Sequence, residues 1–212
     1  MSDSLSFTTR LWRLRFTLGF LGVMIAANWA AGGLWRDLPA AALAHWGISH
    51  DDLARGEVWR LITANFLSKH PRMLVDQIVF SLCIIGWFEW HHGSLRAFAM
   101  FFVTNTAGFL LTLFWVVGVL KSYAVGAGLD TMRDIGMSAG GFGLVGAILA
   151  DLPRKWLLLG GALVLLGAKF FLLPDPIADI AHPITLVLGF ALERYLLSMV
   201  LHRHPRTGGQ KR

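Results

Sequence analysis

The sequence predicts an all-α membrane protein, a single bundle of six transmembrane helices, and three observations carry that prediction. Of the 212 residues 55% are hydrophobic and only 15% charged, with a mean hydropathy of +0.58. A soluble domain of this length needs more polar surface to cover itself. Uncharged runs long enough to cross a hydrocarbon core of about 30 Å, at about 1.5 Å per residue, recur along the chain. Finally, part of the net charge of +6 sits at the two ends, on Arg10, Arg13 and Arg15 in front and Arg203, Arg206, Lys211 and Arg212 behind. Basic flanks of apolar segments mark the cytoplasmic side. No basic stripe interleaves with aromatic residues, so nucleic acid is excluded as a partner. The lone Cys83 allows no intrachain disulfide.

Residues 1–15 read as a cytoplasmic N-terminus. The first span is Phe16 to Trp35, twenty residues without a charge and too long for a cleaved signal peptide. Residues 36–72 mix aromatic, aliphatic and charged side chains, the pattern of short helices lying at the interface. Met73 to Trp90 is the second span, blemished by Asp76 and Gln77, and Ala97 to Leu120 the third. The fourth is Ile135 to Ala150, only sixteen residues; Trp156 to Leu173 and Ile177 to about Leu201 follow, with residues 202–212 as a tail. Six spans put both termini on one side. The links HHGSLR and DLPRKW then share that side with Arg96, Arg154 and Lys155, while PDPIAD opposite is acidic. This agrees with the positive-inside rule and suits a bacterial inner membrane. The nine tryptophans read as interface anchors.

The fourth span opens on DIGMSAGGFGLVGAIL, with Ser138 among glycines. Gly136, Ser138 and Gly140 match G-x-S-x-G literally, but the nucleophile elbow needs a strand before the serine and alternating strands and helices around it. That reading is rejected. Gly136, Gly140, Gly143 and Ala147 form a small-residue stripe that lets helices touch, and a serine there could be one more packing residue. A short fourth span, however, recesses Ser138 below the outer surface, where protein or a water-filled cavity must surround the helix end. His182, inside the sixth span, lies a few residues from the same end. Ionisable residues in a span are expensive and default to functional candidates. A neutral imidazole can take a serine proton and return it to a leaving amine. His182 shares a helix face with Thr185 and Gly189, so a neighbour can approach closely there.

These residues resemble the rhomboid family of intramembrane serine proteases, over roughly Glu57 to Glu193. GEVWRLITANFL resembles the Trp-Arg signature that opens the family's core, here Trp59 and Arg60. Glu89 and Gly93 of EWHHGS fall where the family has its Glu and Gly-Ser. GMSAGGFGLVGA resembles its serine motif, with Ser138, Gly143 and Gly146 in place, and AHPITLVLG its histidine motif, with His182 and Gly189. The resemblance implies a six-helix rhomboid-like bundle and a Ser138–His182 dyad opening outward. It implies cleavage of a substrate's transmembrane or juxtamembrane segment through an acyl-serine intermediate, without metal or cofactor. Membrane lipid and a transmembrane protein substrate are the implied partners.

The chain departs from the family pattern at several positions. The second-span His-x-x-x-Asn that helps hold the oxyanion aligns with Met73 and Gln77; Gln77 keeps an amide donor and Met73 keeps none. The glycine after the serine is Ala139, the first glycine after the histidine falls at Thr185, and an earlier histidine becomes Ser68, with His70 nearby. Two other classes stay in view: a catalytically inactive relative that binds membrane clients, and a small transporter using Asp76 and His182. Asp76 reads as an outer-mouth acid in water. His91 and His92, adjacent and about 100° apart on a helix, make no metal pair without distant help. Glu193 and Arg194 read as pairing or snorkelling near the inner end of the last span.

Overall fold

A computed structural model describes residues 11–203, so the expectations for residues 1–10 and 204–212 lie outside the described residues. Helix α1, Arg15–Ala30, begins where a buried carboxylate receives its free N–H groups. Glu89 Oε1 accepts from Phe16 N at 2.8 Å. Its Oε2 accepts from Thr17 N at 2.8 Å and from the Thr17 hydroxyl at 2.6 Å. A negative charge at a helix N-terminus meets both the unpaired donors and the dipole. The helix stops at Ala30 rather than running to Trp35. Gly32 takes a φ of +76° and Gly33 N donates to Asn28 O at 2.8 Å, turning the chain at the point a left-handed residue allows.

Residues 36–72 hold three short helices, α2 (Ala40–Trp46), α3 (His50–Ala54) and α4 (Arg60–Thr63), the last continuing as a 3₁₀ turn, Ala64–Phe66. Ser49 starts α3 by accepting from Asp52 N at 3.2 Å, and Asp51 and Asp52 fill its first turn. Arg60 ties the loop together. Its guanidinium donates to Ala44 O at 3.0 Å, Gly47 O at 2.6 Å and Glu57 Oε2 at 2.6 Å, and it lies 4.7 Å over the Trp59 ring. The Trp-Arg pair is therefore the brace of this loop. An antiparallel bridge between Ile48 and Asp134, and two bonds from Arg133 to Asp52 at 2.9 and 2.8 Å, clamp the loop onto the segment before Ser138.

Helix α5, Pro71–His92, starts with Pro71 in its first turn and His70 as cap, and contains a π-helical stretch, Ser81–Ile85. After Gly93 (φ +86°) comes α6, Ser94–Leu120. Helices α7 (Ser138–Asp151), α8 (Lys155–Leu172) and α9 (Pro176–Arg203) complete the chain. Among the described residues, four segments are long and apolar enough to cross a membrane: α5, α6, α8 and residues Pro176–Leu196 of α9. Helices α1, with 16 residues, and α7, with 14, are shorter. All nine tryptophans are exposed.

Helix α7 is the centre of the bundle, and glycine puts it there. Hydrocarbon is as apolar as leucine, so close helix approach rests on backbone-to-backbone packing. A Cβ on Gly189 of α9 would meet the carbonyl carbon of Gly143 at 2.6 Å, and one on Gly140 would meet the Phe101 ring of α6 at 2.7 Å. The sequence stripe is corrected at one point, because Gly136 precedes α7. Its φ is +124°, outside helical space, and its N–H donates to Ala64 O at 2.8 Å. The helix begins at Ser138, not Ile135. Helix α8 is peripheral and buries only Leu159.

Candidate active site

Helix α7 presents Ser138 on its first turn, half-buried, with first-turn N–H groups that have no intrahelical acceptor. Helix α9 brings His182 to it across the glycine contact. Nε2 of His182 lies 2.9 Å from Oγ of Ser138, within hydrogen-bond reach, although 44 residues separate them in sequence. The imidazole stacks on Phe142, with centroids 4.4 Å apart and an interplanar angle of 29°. That ring contact, one turn on from the serine, fixes the plane in which Nε2 faces Oγ. Thr185 contributes by donating to His182 O at 3.1 Å. Its methyl packs where a Gly108 Cβ would stand, so the threonine at this position is matched by a glycine on α6.

The pair opens into a cavity of about 640 Å³. Met73, Gln77 and Phe80 of α5 line it on one side, and Lys169, Asp175 and Ala178 line it on the other. Gln77, chosen from sequence as the oxyanion-binding residue, is buried and divided in its roles. Its Oε1 accepts from Ser68 Oγ at 2.7 Å, which fixes the orientation of the amide. Its Nε2 is buried and has no hydrogen-bond partner among the described residues. A Cβ on Gly136 would stand 2.6 Å from that nitrogen and 2.8 Å from the Met73 methyl. Only glycine leaves this donor its place beside the serine loop. An unpaired buried donor costs roughly 1–3 kcal/mol unless an acceptor arrives. Met73 supplies no donor here; its sulfur accepts from Lys69 N at 3.2 Å.

Sequence reasoning missed the brace above the pair. Lys69 Nζ lies 3.3 Å from Asp134 and 3.1 Å from Asp175. One ammonium thus joins the loop after α4, the segment before Ser138 and the start of α9. Burial raises the Asp134 carboxyl above its ordinary 3.8, with Lys69 opposing and Asp175 adding to the rise. Lys169 reaches Asp179 at 2.5 Å, and Asp179 accepts from Asp175 N at 2.6 Å. The acidic composition of PDPIAD was visible; the lysines that answer it come from distant segments. Asp76 is exposed on the cavity wall and is not a buried acid. Glu193 pairs with Arg96 rather than with the exposed Arg194.

Comparison with known protein families and with curated proteins finds no match to the chain.

Proposed function

We propose that the protein is a divergent rhomboid-like serine endopeptidase that cleaves transmembrane or juxtamembrane segments of membrane proteins. In this reading six helices cross a bacterial inner membrane, α1 and the short α7 among them, with both termini cytoplasmic and the cavity opening outward. The observation that carries it is the 2.9 Å contact between the half-buried Ser138 Oγ and His182 Nε2, which line a cavity of about 640 Å³. Ser138 Oγ attacks the scissile carbonyl carbon while Nε2 takes the hydroxyl proton. The C–N bond then breaks as Nε2 returns that proton to the leaving amine, and water hydrolyses the acyl-serine by the same proton relay. General acid–base transfer of this kind supplies about 10²–10⁴-fold. The oxyanion would take the unpartnered Nε2 of Gln77 and first-turn N–H groups of α7, each donor worth about 10²–10³-fold. No step needs a metal or cofactor.

Met73, which lines the cavity without offering a donor, favours a second reading: a catalytically inactive relative that binds membrane clients. A membrane-impermeant fluorophosphonate applied to right-side-out vesicles separates the two. The protease reading expects covalent labelling of wild type and none of Ser138→Ala or His182→Ala. Absence of labelling in wild type, in detergent as well as in vesicles, would sink the dyad. Labelling confined to inverted vesicles would reverse the orientation.

A further inference from the structure

At the end of α7 opposite Ser138, about 20 Å away at 1.5 Å per residue, three helices converge on a second group of polar side chains. His92 closes α5, Asp151 closes α7, and Glu193 lies within α9. One ligand atom from each lies within 4.8 Å of the other two. The edge facing solvent is tight, with His92 Nε2 3.3 Å from Asp151 Oδ2. Phe88 stacks on the His92 ring at 4.4 Å and 28°, holding the imidazole in this direction. Glu193 is completely buried and its Oε1 is bonded by Arg96, whereas its Oε2 has no hydrogen-bond partner among the described residues. A buried carboxylate oxygen left unpaired is costly, and a cation shared with His92 and Asp151 would remove that cost.

We propose that His92, Asp151 and Glu193 form a zinc-type metal site that pins α5, α7 and α9 together. Imidazole nitrogen with two carboxylate oxygens suits a borderline divalent ion, whereas calcium asks for six to eight oxygens and magnesium for a near-ideal octahedron. Zinc bonds of 2.0–2.1 Å set neighbouring ligand atoms about 3.3–3.4 Å apart in a tetrahedron. The His92–Asp151 edge already has that length, and the Glu193 carboxylate closes the remainder by side-chain rotation. The fourth position falls to water on the Asp151 side, where exposure of that residue gives the ion its path in. With His92 neutral, the charges of Asp151, Glu193 and Arg96 total −1 before the ion enters. Arg96 holds Oε1, which leaves the unpaired Oε2 as the oxygen free to ligate. The site is independent of the protease reading, because neither Ser138 nor His182 touches it.

The test uses the full chain, purified in detergent without a polyhistidine tag and stripped with chelator. Zinc is added by equilibrium dialysis and counted per chain by mass spectrometry. The expectation is about one zinc per wild-type chain, with affinity falling tenfold or more in Asp151→Asn and in His92→Gln, and unchanged in His91→Gln. Asp151 is exposed, so its variant carries the result even if substitution of the buried Glu193 disturbs folding. Zinc at a hundred times its dissociation constant should also raise the unfolding temperature of wild type and not of Asp151→Asn, by linkage. Equal zinc content in wild type and Asp151→Asn, or no zinc in wild type, would overturn the site.

Discussion

Gly189→Ala tests whether the contact between α7 and α9 positions the proposed Ser138–His182 pair. A methyl at Gly189 would fall inside contact of the Gly143 carbonyl oxygen, 2.6 Å from its carbon and 2.9 Å from its Cα. All three atoms are backbone, so none can rotate aside. Ordinary contact begins at 3.4 Å, and the oxygen is the nearest of the three atoms, so the two helices must separate locally by about 1.6 Å or strain their backbones. Overpacking of this sort costs about 1–3 kcal/mol. With backbone on both sides the upper figure applies, and for a chain of this size it lowers the unfolding temperature by roughly 6–12 °C. His182 lies two turns from Gly189 along α9, about 10 Å. A separation carried that far takes the Ser138–His182 contact from 2.9 Å to about 3.5 Å or more, beyond useful hydrogen bonding. A misplacement of about 1 Å can cost 10²-fold in rate, so fluorophosphonate labelling should slow by that order. Gly160→Ala, Gly161→Ala and Gly167→Ala are the controls, since a Cβ at each meets nothing within 4 Å; they should be neutral or slightly stabilising. Unfolding is followed by tryptophan fluorescence and labelling by gel. A Gly189→Ala protein that unfolds with wild type would refute the backbone contact. One that unfolds early yet labels at the wild-type rate would refute its coupling to the pair.

Two further predictions address the proposed oxyanion donor and the loop clamp. Gln77→Ala should lower cleavage of a transmembrane substrate by about a hundredfold or more and remove one hydrogen bond, from Ser68, worth about 1 kcal/mol. Gln77→Asn should retain part of the activity, and full activity in Gln77→Ala would take Gln77 out of the site. Burial works to raise the Asp52 carboxyl, but hydrogen bonds from Arg133 and Ser49 and the nearby Arg60 outweigh it and hold the pKa below the ordinary 3.8. A depressed acid contributes stability above its unfolded value and loses it as pH falls through the folded one. Unfolding temperature should therefore drop below about pH 4, and Asp52→Asn should start lower at neutral pH and show a shallower acid slope; an unchanged slope would remove Asp52 from the clamp.

The four longest apolar helices among the described residues were legible because their signal is local: a long, mostly apolar run needs no knowledge of neighbours. Ser138 and His182 were legible for a related reason, since a polar group in an apolar run stands out and both fall near the same helix end. Helix ends were less so. The chain stays apolar through Ile135, Gly136 and Met137, but Gly136 has a positive φ and an N–H committed to Ala64, so α7 starts later than composition suggests. The brace of Lys69, Asp134 and Asp175, and the grouping of His92 with Asp151 and Glu193, join residues up to 106 positions apart. No periodicity carries such a distance. Sequence alone determined which segments are helical and apolar, and which polar groups stand out within them. Tertiary packing alone decided which polar groups meet, that Gln77 spends its oxygen on Ser68 and keeps its nitrogen unpaired, and how closely the glycines bring α7 to α9. Hydrophobic patterning sorts residues between lipid and bundle, whereas pairing depends on helix register and rotation that only close packing fixes.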